Sequence, residues 1–168
     1  MISKEALEYS KLLCEQPLCN VYRAIDMGCF DFGNRIFVKK RNNFVACSAL
    51  SIHLQCPFRI ISKDENIIFT AFDMYLSHSG ERMDGMSWDI YGKNLFDLKS
   101  KAWIEANPGL YVKSGDINQQ GDLKILFSNG ERLEAFVNHS TEDECWRFFE
   151  RNSEKAHLVI SGTGSSWE

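Results

Sequence analysis

An Asn-Gly pair set between two apolar runs constrains this chain more than any other feature. Leu123-Lys124-Ile125-Leu126-Phe127 leads into Ser128-Asn129-Gly130, and Leu133-Glu134-Ala135-Phe136-Val137 follows. Asn and Gly both tolerate the positive φ of a type I′ turn, so the stretch predicts a tight β-hairpin. Ser140, with Asp143 three positions on, carries the signature of a helix cap, and acids in a first turn answer the helix dipole. The spacing therefore predicts a short helix from Ser140 through Cys145-Trp146-Arg147-Phe148-Phe149. Trp146, Phe148 and Phe149 would pack it on a sheet. His157 to Gly162 reads as a returning strand, with Gly162-Thr163-Gly164 at its end.

The rest of the chain reads as strands joined by turns. Ser3 to about Cys14 is an amphipathic helix stopped by Pro17, since Ile2, Ala6, Tyr9 and Leu13 recur at helical spacing. Leu18 to about Met27 reads as a strand. Gly28 and Gly33 bracket the next four residues, and Arg35 to Lys39 continues as strand before the polar turn Lys40-Arg41-Asn42-Asn43. From Phe44 to Ile60 the period is two. The even positions are mostly large and apolar, while Val45, Cys47, Ala49, Ser51, His53, Gln55 and Arg59 are smaller or more polar. Pro57 cannot donate to a ladder, so an interruption is expected there. Lys63 to Asn66 turns into a further strand from Ile67 to Phe72. A long loop follows, from Ser77 to Lys93, and holds Trp88. Asn94 then caps a helix that Asn107-Pro108-Gly109 ends. Leu110-Tyr111-Val112 returns as strand, and Asn118 to Gly121 turns into the Asn-Gly hairpin. The pattern predicts one α+β domain over residues 1–168. Its core is a mainly antiparallel, curved β-sheet flanked by the N-terminal helix and two further short helices.

No apolar run approaches the ~20 residues that span a bilayer, and the N-terminus mixes charges where a leader would be apolar, so the cytoplasm is the expected compartment. Six cysteines are present, but Cys29, Cys47, Cys56 and Cys145 sit inside apolar elements, where thiols behave as small hydrophobes. Neither Cys14/Cys19 nor His53/Cys56 has a second pair at metal-finger spacing, so no metal or other cofactor is expected. Charge is unevenly spread. Residues 1–63 hold nine Lys/Arg against five Asp/Glu, residues 64–113 five against eight, and residues 114–168 five against ten. The acidic final third argues against nucleic acid as its ligand and suits a basic protein partner.

Catalytic signatures are weak. The four histidines, His53, His78, His139 and His157, stand apart from any nucleophile elbow, and alternation points His53 and Cys56 to opposite faces. His139 beside Glu142, Asp143 and Glu144 is explained by helix capping. Asp73, Asp84 and Asp89 lack the spacing of a calcium loop. Trp88 and Trp167 are the tryptophans placed for exposure.

Three stretches resemble a family of small uncharacterised bacterial proteins: Leu50 to Ile60, Asn129 to Phe136, and Trp146 to Phe149 continued by His157 to Gly162. Similar small acidic proteins serve as immunity proteins beside secreted or contact-dependent toxins. The resemblance implies a non-enzymatic protein that neutralises a cognate toxin domain, with a basic nuclease as the expected partner and no membrane contact. Trp88 is the expected anchor, and Asp84, Asp89, Asp122, Glu131 and Glu134 are the expected partner-binding acids. Two alternatives compete. One is a ligand-binding or metabolic enzyme domain with a pocket lined by His53, Gln55 or Arg59. The other is a structural subunit that pairs through a sheet edge as a homo-oligomer.

Overall fold

The computed structural model describes residues 1–41, 43–85 and 87–168, with the backbone only at Lys40. The chain opens on α1 (Lys4–Tyr9), capped by the Ser3 hydroxyl, and tightens into a 3₁₀ turn over Ser10–Leu13. β1 (Leu18–Ala24) and β2 (Met27–Lys40) form a hairpin, and β2 turns back into β3 (Asn43–Leu54). Asn42, in the predicted polar turn, lies outside the described residues. The two glycines expected to bracket a short segment both lie within β2. Gly33 adopts φ +83° at a β-bulge, which lets one strand run on as a single ribbon.

The period-two run breaks where Pro57 stands. β3 ends at Leu54 and β4 (Phe58–Ile61) resumes in a different sheet, paired with β5 (Ile67–Thr70). A capped 3₁₀ turn over Ala71–Tyr75 follows. α2 (Leu95–Ala106) begins as expected, with Asn94 Oδ1 accepting from the Asp97 amide at 2.8 Å. β6 (Val112–Ile117), β7 (Leu123–Phe127) and β8 (Arg132–Ala135) form a meander, and its second hairpin carries Asn129-Gly130. Of the pair only Gly130 takes positive φ, at +87°, and its amide donates to the Phe127 carbonyl, so the turn is not the expected type I′.

The expected helix over 140–149 is a strand, β9 (Glu144–Glu150). Thr141 Oγ1 closes a local turn with Asp143, so the polar cluster terminates a loop instead of starting a helix. A short apolar run fits either period, and tertiary context decides it. β9 slots between β3 and β10 (Leu158–Ser161), aligning Trp146 with Leu54 and Phe148 with Ile52. The strand expected to be the last is followed by one more. Gly162 and Thr163 turn β10 into β11 (Gly164–Trp167).

Two antiparallel sheets result, one ordered β1-β2-β3-β9-β10-β11 and the other β5-β4-β8-β7-β6, in place of one curved sheet. The α+β class stands, with α2 as the single further α-helix among the described residues. Both sheets feed one core, in which Phe30, Ile52, Leu54, Trp146 and Phe148 meet Phe58, Ile60, Ile125, Phe127 and Leu133. Phe69, Phe96, Trp103 and Phe127 continue it beneath α2 in edge-to-face contacts. Among the described residues no helix is long and apolar enough to cross a membrane.

Candidate functional site

Alternation sends one set of side chains on the six-stranded sheet into the core and the other outward. The outward set is rich in chemistry: Tyr22 from β1, Cys29 and Asp31 from β2, Ser51 and His53 from β3, and Arg147, Phe149 and Arg151 along β9 and just past it. Register sets them side by side, with Tyr22 against Cys29, Cys29 against His53, Asp31 against Ser51, and His53 against Arg147. Arg151 is the hub. Its guanidinium donates to Asp31 Oδ1 at 2.9 Å, to Ser51 Oγ at 3.1 Å and to the Tyr22 hydroxyl at 3.3 Å, while Ser51 donates to Asp31 at 2.7 Å. Phe149 stacks on His157 with centroids 4.5 Å apart and meets His53 edge-on. Above this floor opens a groove of about 620 Å³, walled by Tyr22, Val38, Val45, Cys47, Asn152 and His157.

Two groups on this sheet face, neither of them lining the groove, are held in their neutral forms. Burial, with the nearby Asp31 carboxylate, pushes the Cys29 thiol up to about 11, so no thiolate forms at neutral pH. Burial and then the charge of Arg151 lower the pKa of His53, which stays neutral. Its Nε2 is buried without a hydrogen-bond partner among the described residues. This bears on stability. The unfolded chain protonates this imidazole near its ordinary 6.5 while the fold resists, so His53 costs no stability above that value and destabilises progressively as pH falls below it. We expect the urea midpoint to drop between about pH 7 and pH 5.5, and His53→Phe to remove part of that drop. An unchanged drop in the variant would assign it to other groups.

A second cluster gathers in the loop before β9. His139 Nε2 lies 3.1 Å from Cys145 Sγ, its Nδ1 lies 3.1 Å from Thr141 Oγ1, and Thr141 bonds Asp143 at 2.8 Å. Cys145 is completely buried, however, and that burial raises its thiol pKa. The nucleophile is both protonated and out of reach.

The residues expected to bind a partner fall into three local environments. Asp84 is exposed in the long loop. Trp88 is half-buried edge-on against Tyr75, and Asp89 pairs with Arg23. Asp122 and Glu134 share a shallow groove on the five-stranded sheet, where Asp116, Lys124, Glu134 and Arg59 alternate in sign across adjacent strands. Burial alone would raise the Glu134 pKa, but the guanidiniums of Arg132 and Arg59 outweigh it and hold the carboxyl below its ordinary range. Asp122 accepts from the Val137 amide and Asn118, and Glu131 accepts from Trp103 Nε1 at 2.6 Å. Most of these acids therefore answer partners within the molecule. Of the residues expected to line a pocket, Arg59 borders the groove on the five-stranded sheet. Sequence reasoning missed Tyr22, Asp31 and Arg151, although the polar odd positions of β3 marked the face on which they gather.

Comparison of the chain with protein-family models, with curated proteins and with solved structures returns no match.

Proposed function

We propose that this protein works by binding another protein, and that it neutralises a toxin domain by covering it with the outer face of the six-stranded sheet. One observation carries the reading: Tyr22, Phe149, His157 and Arg151 stand in an open groove with their side chains locked by one another. Tyr and Arg are favoured interface anchors, and an anchor that is already ordered loses little freedom on docking. On the same sheet face, burial keeps the Cys29 thiol protonated and disfavours a charged His53, which supports occlusion over catalysis. The partner class comes from the resemblance to small immunity proteins. The preferred face moves from the acidic final third to this groove, because the acids are largely spent on internal pairs.

Co-expression with the product of each neighbouring reading frame, screened for toxicity on its own, tests the reading. The pair should co-elute at moderate salt, and cells should survive toxin induction. Tyr22→Ala should weaken the complex roughly thirtyfold while leaving the fold intact. Absence of any complex, or unaltered affinity in Tyr22→Ala and Asn152→Arg, would remove the groove from the account.

A further inference from the structure

The far halves of β2 and β3 have no strand partner but each other. β1 covers β2 only as far as Phe32, and β9 pairs with β3 only from Leu50 onward, so residues 35–48 project as a two-stranded arm. Cross-strand pairing sets Arg35 beside Ser48, Phe37 beside Ala46 and Lys39 beside Phe44, all on one face of the ribbon. Phe37 and Phe44 are 65% and 71% exposed. Arg35, Lys39, Lys40 and Arg41 lie in this stretch, and the sequence from Phe32 to Lys63 contains no Asp or Glu. The arm is thus an apolar, cationic projection.

The opposite chemistry sits at the other end of the same strand. Phe72, Ile90 and Tyr91 are 54%, 57% and 75% exposed, beside the Tyr75–Trp88 pair. Asp26, Glu81 and Asp84 are exposed around them, with Arg82 resting over Phe72. This patch is tied to the β1–β2 turn by Tyr75 donating to Asp26 at 3.1 Å and by Arg23 gripping Trp88 and Asp89. It therefore lies where β2 begins, and the arm's tip lies where β2 ends. At ~3.3 Å per residue the two are roughly 40 Å apart along a continuous strand, too far for the arm to fold back.

We propose that the occupant of the arm is a second copy of this chain, with the arm of each copy laid on the aromatic, acid-rimmed patch of the other. Arm against arm would set cation against cation, and patch against patch would set acid against acid. Two molecules running antiparallel bring each arm to the other's patch, giving two equal contacts related by a two-fold axis. Such an arrangement closes on itself and does not propagate. It leaves the groove around Tyr22 and Arg151 to the partner described above, since the arm presents Phe37 and Phe44 from the face opposite Val38 and Val45.

The purified full chain suffices for the test, independently of any toxin. Sedimentation should find a species of twice 19.3 kDa that weakens as salt rises from about 50 to about 500 mM. Phe37→Ser with Phe44→Ser removes the arm contact, and Phe72→Ser with Tyr91→Ser removes the patch contact. Each variant alone should be monomeric with an unchanged circular-dichroism spectrum, because all four side chains are exposed. Mixed, the two variants should associate again, more weakly than the parent, because one intact arm then meets one intact patch. A parent chain that is monomeric up to about 200 μM overturns the proposal, whatever happens with a toxin. So does a dimer that survives both variants, or a mixture that stays monomeric.

Discussion

Arg23→Ala lowers the stability of this protein by about 3–5 kcal/mol, the cost of breaking a buried ion pair by removing one partner. Arg23 and Asp97 side chains are each only 3% exposed. The guanidinium donates to both Asp97 oxygens at 2.9 and 3.1 Å, to Asp89 at 3.0 Å, and to the carbonyls of Ile25, Trp88 and Asp89. Deleting it strands a buried carboxylate at the start of α2 and leaves three carbonyls to find water. Asp97 also accepts from the Gly92 amide at 2.7 Å, so the long loop loses its fixed point together with the helix. Arg23→Lys restores the charge without the planar fork and should recover only part of the loss. Urea unfolding measures the total, and hydrogen exchange at residues 88–98 locates it. A change below about 1 kcal/mol would mean that water reaches this site and the pair is worth no more than a surface contact.

Trp146→Ala should cost a similar 3–5 kcal/mol, but by emptying space instead of orphaning charge. Trp146 is 1% exposed at the centre of the six-stranded sheet, between Leu54 on β3 and Ile160 on β10. Its indole Nε1 donates to the Gly121 carbonyl at 2.8 Å, linking β9 to the turn before β7. Removing it leaves a cavity and an unpaired buried acceptor at once. Trp146→Phe keeps most of the volume and loses the hydrogen bond, so it should cost clearly less. Equal losses in the two variants would show that the Gly121 bond, and not the packing, is what Trp146 contributes. The two alanine variants should also differ in kind. Arg23→Ala loosens one end of the molecule, while Trp146→Ala lowers protection throughout both sheets.

How much of this was legible depended on whether the determining contacts were near in sequence. The Asn129-Gly130 hairpin, the Asn94 cap and the stop at Pro57 are local devices, and each appears at its expected position, although in the hairpin only Gly130 takes the positive φ expected of both residues. The segment 140–149 is not of that kind. Its cap-like residues and clustered aromatics satisfy a helix locally, and only the vacancy between β3 and β10, filled from far along the chain, makes it a strand. β11 was hidden for a different reason: its partner β10 is its neighbour in sequence, but Gly164-Ser165-Ser166-Trp167 carries no apolar alternation to mark a strand. The groove repeats the case of segment 140–149. Tyr22, Asp31, Ser51 and Arg151 are adjacent in space and spread over some 130 positions in sequence. The acids had seemed available because a count of charges cannot show that Arg23, Arg59 and Arg132 face them.

The pairing of β3 with β9 sets a schedule for the chain's birth. Leu50 lies opposite Glu150, so the middle of the larger sheet cannot close until the chain through Glu150, a hundred positions on, has left the ribosome. Contacts this distant are slow to form, and until then the apolar faces of β2 and β3 wait uncovered. Shortened translation products ending before β9 should therefore stay soluble only with a chaperone's help, whereas residues 1–168 together should not need one.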